Sequence, residues 1–437
     1  MMTDGNGETT CLFIVRLNNL RQIRAAFGEE AGHHAMDGLA SRIGPHFQAV
    51  ESLRTGHDDI EIVVREAGSA PPQPMGTMVD ALCSLLAAEP VLYGDGALLL
   101  SLSAGGAVVG GSGDAPDALE EARAAARRQL AASSIRPDHS AERGEGWAKL
   151  FRRDMAIGAA LLDQFTHGAT FFGWRAVRKA DDISFAFHHE TCLCRMGEGG
   201  QRIDCGEGHQ ALTRLGLTYP VEHRIVSRVL DELERDPFAC LSVPVSAQSL
   251  SFHLHGQDSS WTELRRRLAR DRALAGRLII EIDESSALAS LDDAQEFVAA
   301  VRALGARIAL GRFGSGFASI GQLLTLTADI VKLDSAFLRT AFQSDRHRAR
   351  LSHLLGLART IGPMVIVDGV DSALFLQLAL EEGAEWVAGN HVGDVSLTRR
   401  WEQELQEETV ISFSNFKAGL GRAPQAGESP QRAAGGH

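Results

Sequence analysis

Five charged side chains stand on or just after short β-branched runs: Glu190, Glu281, Lys332, Asp334 and Asp368. If those runs are strands of one barrel, their C-terminal ends share a rim. One acidic or basic group per unit then builds a polar centre at the barrel mouth. His188, Cys192, Cys194 and the later Cys205 raise a different possibility, a zinc site. Residues 188, 190, 192 and 194 of a strand do share a face. However, Cys-x-Cys on a strand matches zinc spacing poorly, and buried thiols are the expected state. Gly311 to Gly321 is glycine-rich. It has neither a Gly-x-Gly-x-x-Gly after a strand nor a Lys-Ser/Thr ending, so no nucleotide loop is implied. The Arg/Glu run Leu264 to Arg272 reads as a solvated helix face.

The elements that must position these groups follow from periodicity. From about Ala148, short β-branched runs alternate with helical stretches. The runs are Phe171–Ala176, Ile183–Cys194, Cys240–Val245, Leu278–Ile282, Arg307–Leu310, Ile330–Leu333, Met364–Val367 and Trp386–Ala388. Eight βα units in about 250 residues are the count and length of a TIM-type (β/α)8 barrel, though an open doubly wound sheet fits the pattern too. Before it, Thr10–Val15, Asp59–Val64 and Ala97–Val109 read as strands, and Leu20–Ile43, Met75–Ala88 and Asp117–Ala132 as helices. The expected α/β organisation is a small α+β domain over 1–135, a polar linker over 136–147, the barrel over 148–403 and a tail over 404–437. The Gly/Ala/Pro/Gln-rich end of that tail is expected to be disordered.

Composition narrows the function classes. Of 437 residues, 44% are apolar and 23% charged, enough for two cores, and the formal charge is -13. An acidic chain argues against phosphate-driven nucleic-acid binding. The start MMTDGNGETT has no signal-peptide pattern, and no stretch is apolar enough to span a membrane. Six scattered cysteines at 11, 83, 192, 194, 205 and 240 fit reduced thiols. A cytoplasmic protein is expected.

His189-Glu190-Thr191-Cys192-Leu193-Cys194-Arg195 resembles the motif that names the EAL family of cyclic di-GMP phosphodiesterases. Ile280 to Ser285 is similar to that family's Leu-Glu-Ile-Thr-Glu-Ser, and Phe313 to Ser319 to its Phe-Gly-Thr-Gly loop. Val331 to Phe337 looks like its Lys-Ile-Asp-x-x-Phe strand, and Val367 to Asp371 like its Ala-Glu-Gly-Val-Glu. These five segments run in family order across residues 150 to 400. In the N-terminal domain, Arg54 to Ile60 resembles the Arg-x-Gly-Gly-Asp-Glu-Phe hairpin of diguanylate cyclases, the GGDEF family, and Phe13 to Gly28 its opening strand and helix. The resemblance therefore implies an EAL-type barrel behind a GGDEF-like domain.

It also implies which residues to check. The family's barrel holds two divalent metals that make a hydroxide and clamp a phosphate, which needs several hard oxygen ligands. Glu190, Glu281 and Lys332 are kept, and Asp368 is a shortened Glu. The Asn of strand 3 becomes Pro244, the Asp pair before the Phe-Gly loop becomes Gly311 and Arg312, and the Gln after strand 8 becomes Ala388. Glu190, Lys332 and Asp368 would then be vestiges of a catalytic set, and Glu190 and Glu281 vestiges of a metal set. No cofactor is expected, Mg or Mn included. Arg312 cannot ligate a cation; it is expected to replace the metals by neutralising Glu190, Glu281 or both. Arg195 (which follows the motif), Glu190 and Arg312 are candidate ligand contacts. The family's Gln on strand 1 falls at Gly173. In the first domain the metal Asp falls at Arg16, the guanine-reading Asn near Arg24, and His57 replaces the second Gly. The expected function is a non-catalytic regulatory or scaffold protein acting by protein contact in cyclic di-GMP-linked bacterial signalling. The alternatives are a cyclic di-GMP receptor that does not cut its ligand and, further off, a residual phosphodiesterase. The protein partner is unnamed, and a homodimer is an expectation from resemblance alone.

Overall fold

The computed structural model describes residues 8–46, 50–67, 75–87, 89–110, 116–132, 144–247, 249–251, 260–283, 288, 290–316 and 319–399. Most of the expected linker, the motif residues Glu284, Ser285, Phe317 and Ala318, and the tail from 400 lie outside them. Residues 1–395 form one compact unit, to which the following description applies.

The N-terminal part runs β1 (Glu8–Leu17), α1 (Leu20–Phe27), α2 (Glu29–His46), β2 (Val50–Thr55), β3 (Asp59–Ala67), α3 (Met75–Leu86), β4 (Val91–Tyr93), β5 (Gly96–Leu98), β6 (Leu102–Val108) and α4 (Pro116–Ala132). β1 is the apolar run TCLFIV and is central, antiparallel to β3 on one side and β6 on the other; β2 is the edge. Leu12, Ile14, Val63 and Val109 pack on Ala122, Ala126 and Leu130 of α4. The region expected as one helix over 20–43 is two, because Gly28 leaves the helix at φ +99°. The run 97–109 likewise splits: its start pairs with β4 as a small hairpin, and only 102–108 joins the main sheet.

The barrel part runs α5 (Glu145–Thr166), β7 (Thr170–Lys179), β8 (Ala186–Met196), β9 (Arg202–Asp204), α6 (Gly206–Leu215), α7 (Tyr219–Arg235), β10 (Leu241–Ser246), α8 (Ser260–Arg270), α9 (Arg272–Ala275), β11 (Leu278–Asp283), α10 (Leu291–Leu304), β12 (Arg307–Phe313), α11 (Ile320–Thr325), β13 (Ile330–Leu333), α12 (Ser335–Thr340), α13 (Asp345–Ile361), β14 (Met364–Val367), α14 (Ala373–Glu381) and β15 (Trp386–Val387). Helix starts are marked by side-chain caps at Asp271, Ser290, Ser319, Asp334, Ser344 and Ser372, each accepting an otherwise orphaned backbone N–H. The strand order β10-β11-β12-β13-β14-β15-β7-β8 closes through β8–β10, giving a barrel of eight strands. It is not eight repeated βα units. β7 runs antiparallel to both β15 and β8, and only residues 180–185 join β7 to β8, with no helix between.

The barrel interior is layered. Val177, Ile279, Ala309, Ile330, Ile366 and Ala388 form one apolar cluster. Two residues further toward the mouth on the same strands come Arg175, Glu281, Gly311, Lys332 and Asp368. A two-residue step keeps a side chain on the same face. The polar centre is therefore the next layer of the barrel's own packing.

Candidate functional site

Glu190 lies in the middle of β8, directly opposite Arg175 of β7. Arg175 donates from Nε to Glu190 Oε2 at 2.7 Å, and its Nη2 stands 2.7 Å from the same oxygen. Lys332 Nζ lies 2.6 Å from Glu190 Oε1, 3.4 Å from Asp368 Oδ2 and 3.6 Å from Glu281 Oε1. Glu190 is 5% exposed and Lys332 7%, so these contacts operate away from bulk water. Burial alone would raise the Glu190 carboxyl, but Arg175 and Lys332 outweigh it and hold it well below the usual carboxylate range. Burial would likewise depress Lys332, and the carboxylates of Asp368, Glu190 and Glu281 reverse that and hold it protonated. Glu281 goes the other way: burial, with repulsion from Glu190 and Asp368, pushes it up to about 7 despite Lys332.

Gly311 explains where Glu281 sits. A Cβ at 311 would stand 2.6 Å from Glu281 Oε1 and 3.1 Å from its Cγ. Glu281 thus fills the space that a side chain at 311 would need. At the other end of the cluster, Asp368 is held in a turn by Gly369, at φ +81°, where a Cβ would meet the Ser335 Cβ at 2.5 Å.

One sequence expectation fails here. Arg312 does not neutralise Glu190 or Glu281. The pairing of β12 breaks its register at this residue, and the side chain lines the cavity above the cluster instead. Its backbone sits at φ +58°, where the register of β12 against β13 shifts. The side chain is 44% exposed, with Nε 3.3 Å from Asp334 Oδ2. The cation on Glu190 is Arg175 instead, two residues beyond Gly173, which pairs with Cys192. Arg195 lies on the opposite strand face from Glu190. The β7–β8 register is unbroken from Thr170 to Val177, so Glu190, Cys192 and Cys194 share one face and Arg195 lies on the other.

The remaining candidates fall as follows. Pro244 pairs with Glu281 on β10–β11 and has no side-chain oxygen, and Ala388 lies in the buried apolar layer. A cavity of about 410 Å³ opens above the cluster, lined by Glu281, Lys332, Asp368, Arg312, Arg339 and Gln210, among others. Arg175, Arg339 and Gln210 were missed from sequence. A signal for Arg175 was present: it is a cation on the same strand face as the buried Val177. Burial pushes the Cys192 thiol up to about 12 and the Cys205 thiol up to about 11. Burial takes His188 down to about 3, so it is neutral.

The rim near β10 is braced by a buried network. Glu222 of α7 accepts from Ser246 N at 2.9 Å and from Ser246 Oγ at 3.1 Å, and lies 3.0 Å from His209 Nε2 of α6. Burial would lower His209, but the Glu222 bond outweighs it and raises its pKa. α6, which also supplies Gln210, is tied to α5 by Arg214, whose Nε and Nη2 donate to Asp154 at 2.7 Å each.

Both oxygens of Glu190 are taken by cations, the space at 311 is filled, and positions 244 and 388 offer no side-chain oxygen. Among the described residues, no group of three or more His, Cys, Asp or Glu is arranged to hold a metal ion. The first domain also carries arginine contacts at the positions singled out from its sequence. Arg16 Nε lies 3.8 Å from Asp58 Oδ2, and Arg24 Nη1 lies 3.0 Å from His57 Nε2 while its Nε pairs with Glu29 at 3.2 Å.

The fold and site define a closed eight-stranded barrel with one antiparallel strand and a carboxylate–cation layer at its mouth. Residues 180–394 match the EAL domain family model: this part of the chain is an EAL domain. The chain is 24% identical to the cyclic di-GMP phosphodiesterase PdeF of Escherichia coli K12, over 47% of this chain and 27% of that one. It is 22% identical to the RNase E specificity factor CsrD of the same organism, over 57% and 36%. The chain thus spans well under half the length of these curated relatives. The Vibrio cholerae LapD S helix-GGDEF-EAL structure (apo) is similar at a TM-score of 0.47 and 18% identity, covering 88% of this chain and 89% of that one. Among the described residues, no helix is long and apolar enough to cross a membrane.

Proposed function

We propose that the barrel is a non-catalytic EAL-type regulatory module that works by protein–protein contact in cyclic di-GMP-linked signalling. One observation carries this reading: Glu190, a residue the family uses to hold metal, has both oxygens occupied by Arg175 and Lys332. Hydrolysis of a phosphodiester needs a bound hydroxide and a stabilised phosphate charge, both supplied in this family by cations on those oxygens. The likeness to CsrD, named as a specificity factor, supports a role without turnover. The test is product analysis with cyclic di-GMP in Mn²⁺ and in Mg²⁺. No linear dinucleotide is expected, and clear turnover abolished by Glu190→Gln would overturn the reading.

A second reading, a receptor that binds cyclic di-GMP without cutting it, is favoured by the cavity at the mouth, where Arg312 and Arg339 offer guanidiniums to an anion. Calorimetry with cyclic di-GMP and no metal separates the two. Saturable binding lost in Arg339→Ala selects the receptor. Absence of binding leaves protein contact, and a pull-down then names the partner.

A further inference from the structure

We propose that Arg175 is a resident counter-ion of the barrel, a positioning residue that holds Glu190 in place and denies it to divalent cations. The inference deepens the non-catalytic reading and rests on it. Three observations carry it. Arg175 places two nitrogens at 2.7 Å from one oxygen of Glu190, the geometry of a strong charge-assisted contact. The pair is fixed by backbone, since residues 175 and 190 are directly opposite on antiparallel strands. Lastly, Lys332 already holds the other oxygen, so a cation approaching Glu190 meets two fixed positive charges.

The Lys332 contact alone does not close the site, because an ammonium is a single point charge shared among three carboxylates. The Arg175 guanidinium is what leaves no free oxygen on Glu190. Removing it should expose Oε2, beside Asp368 and Glu281, to a hard cation.

The test uses the full chain and Mn²⁺ alone, read by electron paramagnetic resonance of free Mn²⁺ and by thermal melting. The wild type is expected to show no saturable binding at the barrel and no Mn²⁺-dependent melting shift. Arg175→Gln is expected to bind Mn²⁺ at least about tenfold more tightly, in the range by which outer contacts tune metal affinity. Its melting temperature should rise with Mn²⁺, and Arg175→Gln with Glu190→Gln should lose both effects. Arg175→Lys keeps one charge and covers the case in which Arg175→Gln does not fold, with a few-fold gain expected. Wild-type Mn²⁺ binding that Glu190→Gln removes overturns the proposal, as does the absence of any gain in the Arg175 variants. Turnover of cyclic di-GMP by the wild type would instead sink the non-catalytic reading itself, so the two failures are distinguishable.

Discussion

Replacing Lys332 by Met tests whether the charged layer is a self-contained structural unit. Met keeps the unbranched length and removes the ammonium. Lys332 stands within 3.6 Å of three carboxylates, so its loss leaves Glu190, Glu281 and Asp368 with Arg175 as the one cation in direct contact with the group. Breaking a buried ion pair by removing one partner costs about 3–5 kcal/mol. One ammonium serving three partners places the expected loss in the upper half, about 4–5 kcal/mol. For a domain of this size about 1 kcal/mol shifts Tm by about 2–4 °C, so Tm should fall by about 8–20 °C. The loss should also depend on pH. Without Lys332 the carboxylates bind protons more readily, and at pH 5 part of their repulsion disappears by protonation. Thermal melts of wild type and Lys332→Met at pH 7.5 and pH 5 decide the matter. A loss below about 1 kcal/mol, or one equal at both pH values, would refute the account of the layer.

Four further outcomes follow from the same geometry. Gly311→Ala should cost about 1–3 kcal/mol in urea unfolding, because the new Cβ must displace Glu281 from 2.6 Å, and pairing it with Glu281→Ala should recover most of that loss. Arg312→Gly should leave stability within about 1 kcal/mol of wild type, since it relieves a left-handed backbone at φ +58° and gives up an ion pair in which Arg312 is half-exposed and Asp334 keeps its bonds to Ser315 and Ala336. Glu281 is raised to about 7, so its contribution is fully present below the ordinary carboxylate pKa and is lost as pH rises through about 7. Melting temperature should therefore climb as pH falls from 7.5 toward 5, and Glu281→Gln should flatten that slope. Asp154→Ala should cost about 1.5–3 kcal/mol by removing both bonds to Arg214, and a double-mutant cycle with Arg214→Ala should show the coupling.

The barrel strands from β10 to β14 were legible because each is a short, largely buried apolar run, which leaves a plain signal. What composition does not carry is direction. The reversal of β7 was invisible, and it is what brings Arg175 opposite Glu190. β2 was missed because VESLRT is an exposed edge strand with no apolar face. Glu190, Glu281, Lys332 and Asp368 were readable as a convergent set from their places on successive strands. Arg312 was misplaced because the break in β12's pairing at this residue, with its backbone at φ +58°, leaves no periodic signal in the sequence. Arg339 and Gln210 reach the cavity from α12 and α6. Where a helix aims a side chain depends on tertiary packing that strand periodicity does not encode.

Residues 175, 281 and 311 act together. Three carboxylates, Glu190, Glu281 and Asp368, face two permanent cations, Arg175 and Lys332. With all three ionised the group carries one excess negative charge, and the raised affinity of Glu281 for a proton removes that excess near neutrality. Such a cluster is balanced without any ion from solution. Adding a divalent cation would create an excess positive charge in a buried place, where it is costly. The loss of a side chain at Gly311 is what lets Glu281 settle beside Lys332, and the guanidinium of Arg175 supplies the charge a metal would otherwise bring. Either alone leaves the layer mismatched: Arg175 with a side chain at 311 displaces Glu281, and Gly311 without Arg175 leaves Glu190 half-paired. Arg175 and Gly311 therefore complement each other, and the charged layer at the barrel mouth is internally paired.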